Sequence, residues 1–102
     1  MSVVVVATIV PLAEHRDEVI AAFKETIEQV HSEDGCELYA LHEAPDRLIM
    51  IEKWASAEAL GVHSKAVALT ALNPQLAGKV AGRPEVVVLQ QVLAGDPGKG
   101  QV

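Results

Sequence analysis

The chain opens on an almost unbroken apolar run, Val3 to Val10, interrupted only by Thr8 and apolar at both odd and even positions. Mostly β-branched residues at both parities read as a strand covered on both faces, and Pro11 ends it. The period then changes. Between Ala13 and Ser32 the apolar residues Val19, Ile20, Phe23, Ile27 and Val30 recur three and four apart. Glu14, Arg16, Asp17, Glu18, Lys24, Glu25 and Glu28 fall mostly off that stripe. This spacing predicts an amphipathic helix, with acids in the first turn where the helix dipole favours them. Asp34-Gly35 breaks the pattern.

Two strands follow, Cys36–Glu43 and Arg47–Trp54, flanking Ala44-Pro45-Asp46. Proline presets φ and aspartate tolerates turn geometry, so the pair reads as a hairpin. A three-residue loop would set Glu43 opposite Arg47, His42 opposite Leu48, Ala40 opposite Met50, Leu38 opposite Glu52 and Cys36 opposite Trp54. One face would then carry Cys36, Leu38, Ala40, His42, Leu48, Met50, Glu52 and Trp54, and the other Tyr39, Leu41, Ile49 and Ile51. A slip of one residue would exchange the faces of one strand. Ser56 reads as the cap of a short helix ending near Gly61–His63. A second helical piece, about Lys65–Leu76, carries Val67, Leu69 and Leu72, with Asn73-Pro74 as a point of interruption. Gly78 to Pro84 reads as a loop and Glu85–Val92 as the last strand. Residues 94–102, rich in glycine, read as a flexible tail.

The order β, α, β, β, α, β predicts an α+β fold of ferredoxin-like type, one antiparallel sheet with helices on one face. The domain spans 1–93 and the tail 94–102. Val3–Val6, Leu48–Ile51 and Val86–Leu89 are apolar at both parities, so a lone copy would expose a patch of roughly several hundred Å² on the far sheet face. Such a face predicts a two-fold homodimer formed through the sheet.

Composition narrows the classes. A chain of 102 residues can bury one modest core. Eight basic against 14 acidic residues give a net charge of -6, which disfavours nucleic acid and anionic membrane surfaces as partners. No apolar run approaches the ~20 residues of a membrane span, and the first run lacks the features of a signal peptide. The expected location is cytoplasmic. Cys36 is alone, which excludes an intrachain disulfide and a cysteine-based zinc site. With Asp34 and Glu37 nearby it lacks the positive charge that makes a thiolate reactive and reads as a small core residue.

Residues 35–63 hold the only tryptophan, tyrosine and cysteine and two of the four histidines. Trp54, at the end of a strand, suits either a wall that stacks a flat ligand or a plug for the core. His63 is either a pocket base or a half-exposed residue at a helix end. His42 and Glu52, sharing a face in the register above, are a candidate proton-transfer pair. Met50 lies between them on that face and is a candidate substrate contact. Tyr39 suits substrate contact or packing at an interface. His15 and His31 read as solvated helix positions. His42, Glu52 and His63 could together bind iron, but their spacing does not demand it, and no metal site is expected. There is no phosphate-binding loop: Gly95-Asp96-Pro97-Gly98-Lys99-Gly100 has no strand before it and no helix after it.

Gly35-Cys36-x-x-Tyr39-x-Leu41-His42-Glu43, Glu52-x-Trp54, and then Ser56, Leu60 and His63 together resemble the antibiotic biosynthesis monooxygenase family, with likeness from Val3 to Leu93. The resemblance implies a ferredoxin-like domain that dimerises through its sheet into an α+β barrel. It also implies a cofactor-independent monooxygenase that oxidises an aromatic phenol or quinol, with O2 as co-substrate and no cofactor. The deprotonated substrate would supply the electrons, Trp54 a pocket wall and His63 a pocket histidine. Asp34 stands where the family commonly has proline. Haem-degrading relatives use an asparagine on the first strand and a late histidine, both missing here, so haem breakdown is not expected. A related isomerase acts on a phosphorylated diketone; a phosphate clamp could draw only on Arg47, Lys65 and Arg83. The alternatives are an isomerase or other acid–base enzyme on a small carbonyl compound, and a non-catalytic dimer that binds a small molecule.

Overall fold

In a computed structural model describing residues 1–102, the first strand, β1 (Val3–Ile9), lies inside a four-stranded antiparallel sheet. It pairs on one side with β3 (Arg47–Trp54) and on the other with β4 (Glu85–Gln90), while β2 (Cys36–Ala44) forms the far edge beside β3. The order β2-β3-β1-β4 is that of a ferredoxin-like sheet. A single 3-10 turn, Ala13–His15, leads into α1 (Arg16–Val30). The second helical region divides into α2 (Ala57–Ser64) and α3 (Val67–Leu76).

The helices cover the face carrying Val3, Val5, Ala7 and Ile9 from β1 and Leu48, Met50, Glu52 and Trp54 from β3, which meet pairwise in the register. Val19, Phe23 and Val30 of α1 and Leu72 and Leu76 of α3 pack against them to form the core. Pro74 does not break α3. It falls in the last turn, where the helix gives up only its final bonds, and Leu72 and Leu76 remain buried on one side of it.

The hairpin register differs from the sequence expectation. The loop is a two-residue turn, with Ala44 opposite Arg47, His42 opposite Ile49, Leu41 opposite Met50 and Tyr39 opposite Glu52. Arg16 fastens this turn to α1, donating to the Ala44 carbonyl at 2.7 Å and to the Pro45 carbonyl at 3.4 Å. A bulge between Cys36 and Leu38 absorbs one residue and restores the pairing of Cys36 with Trp54. The odd residue thus sits in the strand, not in the loop. Tyr39 accordingly turns to the helix face, and His42 to the opposite face, where it is exposed and its Nδ1 lies 3.2 Å from the Ala40 carbonyl.

That opposite face carries Val4, Val6, Ile49, Ile51, Val87 and Leu89. Val87 and Leu89 remain 43% and 42% exposed. Residues 91–102 form neither helix nor strand, and Gln91, Val92 and Gly100 to Val102 border a shallow depression beside Val4 and Leu89. No helix is long and apolar enough to cross a membrane.

Candidate active site

An apolar cavity of about 220 Å³ lies between the helix face of the sheet and the helices. Ile9, Phe23, Met50, Leu60, Leu72 and Leu76 supply much of its wall. Its polar lining is confined to Tyr39, Glu52, His63, Ser64 and Asn73. Ser64, Asn73, Pro84 and Val86 are exposed and mark its mouth, whereas Tyr39, Glu52 and His63 are buried and form its floor. No lysine or arginine lines it.

Two local devices place His63. The Ser56 hydroxyl accepts from the Ala59 N–H at 3.1 Å and starts α2. Leu60 and His63, three apart, then share the helical face turned to the cavity, while Val62 points to solvent. The second device is the turn before β2. Gly35 has φ +81°, a conformation open to glycine, and its carbonyl accepts from the Ala55 N–H at 2.8 Å. This folds Glu33 against α2, where its Oε1 lies 2.8 Å from His63 Nδ1. A carboxylate there is placed to accept from an Nδ1–H, and Nε2 lies on the side of Glu52, 3.9 Å from that residue's Oε1.

Trp54 holds the other carboxylate. Its indole N–H donates to Glu52 Oε1 at 2.9 Å. Its ring lies 4.3 Å from the His63 ring, centroid to centroid, with the planes 31° apart. Tyr39 meets both rings edge-on, at 6.3 Å from Trp54 and 5.3 Å from His63. Burial pushes the Glu52 carboxyl above the ordinary range; the indole hydrogen bond and His63 oppose that, and Glu33 adds to it. Burial likewise holds the Tyr39 hydroxyl well above the usual tyrosine range, reinforced by Glu52 and Glu33, so Tyr39 stays a neutral phenol. The Cys36 thiol is raised, first by burial and then by the same two carboxylates.

The structure therefore brings His63, Glu52, Tyr39 and Met50 to one cavity. Trp54 is fully buried behind the floor and does not line the cavity; it supports His63 and Glu52. His42 does not pair with Glu52. It faces the other side of the sheet because the odd residue lies in the bulge, and this separates the two-histidine, one-carboxylate set that could have held iron. Arg47, Lys65 and Arg83, the only cations available for a phosphate clamp, do not line the cavity. Glu33 escapes sequence reasoning. It sits past the end of α1 among other polar residues, and only the glycine turn gives it its neighbour.

An antiparallel sheet backed by helices, enclosing an apolar cavity with a histidine–carboxylate floor, defines a ferredoxin-like domain with a pocket between sheet and helices. Among known families, Antibiotic biosynthesis monooxygenase matches residues 2–75, and the chain belongs to that family. Rv0793 from Mycobacterium tuberculosis shares the fold at a TM-score of 0.85 and 24% identity, over 94% of this chain and 100% of its own. A conserved protein from Methanosarcina mazei Go1 does so at 0.83 and 24%, over 88% and 92%. The crystal structure of an antibiotic biosynthesis monooxygenase matches at 0.82 and 26%, over 89% and 99%. A comparison with curated proteins finds no match.

Proposed function

We propose that this chain is a monooxygenase that oxidises a small aromatic phenol or quinol with O2, using no resident metal or organic cofactor. The observation that carries this reading is the pair of His63 Nε2 and Glu52 Oε1, 3.9 Å apart on the floor of an apolar cavity. The gap is too long for a direct hydrogen bond and suits a substrate hydroxyl placed between the two groups. His63 takes the phenolic proton as general base. The phenolate then carries enough electron density on its ring to reduce O2. For a phenol with hydrogen on the reacting carbon the balance closes without an external reductant: phenol plus O2 gives quinone plus water. Burial raises the Glu52 carboxyl above the ordinary range, and the Trp54 indole N–H that it accepts from holds it beside the place of the substrate oxygen. The apolar walls hold the ring and keep water away from the anion.

The cavity is smaller than the usual ligand-site range of roughly 300 to 1,000 Å³, which favours a substrate of one or two rings. A lining without lysine or arginine favours a neutral substrate over a phosphorylated one. The floor could equally move a proton on a small carbonyl compound, and the requirement for O2 separates the two readings. The apolar outer sheet face supports a homodimer formed through the sheet.

The test is O2 uptake by metal-stripped protein with hydroquinones and dihydroxynaphthalenes, beside His63→Ala. Uptake above the uncatalysed rate that collapses in the variant supports the oxygenase. Turnover of a carbonyl substrate that is unchanged by removing O2 replaces it with the acid–base reading, and saturable binding with no turnover leaves a binding dimer.

A further inference from the structure

We propose that Glu33 is the positioning residue of this site: it fixes His63 as the tautomer whose unprotonated Nε2 faces the cavity, and it balances the imidazolium formed when that nitrogen takes a proton. The proposal rests on His63 acting as base.

Three observations converge on it. Glu33 Oε1 lies 2.8 Å from Nδ1 of a histidine whose side chain is only 5% exposed. A carboxylate in that place determines which nitrogen carries the proton. Secondly, Glu33 Oε2 is buried and has no hydrogen-bond partner. A buried acceptor left unpaired is costly, so its presence here calls for a reason beyond capping. Thirdly, the turn that delivers Glu33 uses a glycine at φ +81°, in direct contact with Ala59 of the helix that carries His63. The placement is thus built into the backbone of both segments. Glu52, held by the Trp54 indole on the other side, cannot do the same task, since it stands 3.9 Å from Nε2.

The unpartnered oxygen makes Glu33→Gln informative. An amide group left in the Oε2 position would bury an unpaired donor, so the side chain turns its NH2 towards His63 Nδ1. Nδ1 then becomes the acceptor and the proton moves to Nε2, which removes the lone pair from the cavity. The same inversion follows when the triad aspartate of serine proteases becomes asparagine.

The experiment is nitrogen-15 NMR of imidazole-labelled full-length protein, wild type against Glu33→Gln, with melting curves to establish that both fold. Neutral His63 is expected as the Nδ1–H tautomer in the wild type and as the Nε2–H tautomer in the variant. With a turnover substrate in hand, kcat falls on the order of 10²- to 10⁴-fold while KM changes little. A wild-type His63 in the Nε2–H form, or a folded variant that keeps the Nδ1–H form, overturns the proposal. The wild-type spectrum decides even if the variant does not fold. The tautomer needs no substrate, so no O2 uptake with the expected tautomer in each protein counts against the oxygenase reading and leaves the role of Glu33 in orienting His63 intact.

Discussion

Gly35 and Ala59 meet so closely that a Cβ on Gly35 would lie 2.6 Å from the Cβ of Ala59. The contact joins the turn that carries Glu33 to the first turn of α2, which carries His63. Both halves of the Glu33–His63 pair are therefore set by one backbone junction.

Gly35→Ala is expected to destabilise the fold by roughly 2 kcal/mol or more, because it adds the strain of a left-handed backbone to the collision with Ala59. In a domain of this size that lowers Tm by about 10 °C. It also weakens the Glu33–His63 contact, since the strain is relieved by moving α2. Thermal melting and the His63 nitrogen spectrum read the two effects separately.

Glu52 gives the protein a signed dependence on pH. Its carboxyl is raised in the folded state, chiefly by burial, so in the window between its unfolded and folded values the native state binds more protons. Stability from this group is fully present below the ordinary carboxylate range and is lost as pH rises through the folded value. Glu52→Gln removes that slope and keeps an acceptor for the Trp54 indole. The difference between the two urea-unfolding free energies, measured from pH 4 to pH 8, is expected to shift in favour of the variant as pH rises through that window and to level off above it. A constant difference would contradict the raised carboxyl.

Trp54→Phe deletes the donor to Glu52 while keeping an aromatic ring in the core. The expected loss is about 1–3 kcal/mol in stability, from the hydrogen bond to an ionisable group and part of the indole volume. Because Trp54 lies behind the floor, substrate binding is expected to survive while kcat drops. A large rise in KM with kcat unchanged would instead mean that the indole touches the substrate.

Ile51 lies at the middle of the outer sheet face, opposite Val6 of β1 and Ala40 of β2. Ile51→Lys places a charge at the centre of the surface proposed to pair two copies. Light scattering is expected to show a dimer for the wild type at micromolar concentration and a monomer for the variant.

The fold was legible because its signals are periodic. The change from the apolar run of β1 to the three-and-four spacing of α1 marks the first two elements, and Pro45-Asp46 and Ser56 mark the next boundaries. The register of the hairpin was not legible, for a reason of counting. The number of residues from Cys36 to Trp54 is the same whether the odd one widens the loop or forms a bulge, and both give the Cys36–Trp54 pair. The choice is made in three dimensions, by burying Tyr39 in place of His42 and by Arg16 holding the short turn. Glu33 was illegible for a related reason: its partner is 30 residues away, and no local pattern encodes that meeting. Glu52 and Met50 could be singled out because either hairpin register leaves β3 with the same face, and His63 because it matches the Leu60-x-x-His63 spacing of the resemblance.

The bulge at Glu37 has an evolutionary consequence. A descendant in which the odd residue migrated into the Pro45-Asp46 turn would keep the same chain length and nearly the same composition. Its β2 would rotate by one position between those two points, setting Leu38 opposite Glu52 and withdrawing Tyr39 from beneath the ligand. Mutations confined to a solvent-facing bend could in that way exchange the chemistry of the floor without altering any residue on it, which gives a lineage built on this hairpin a short path between different reactions.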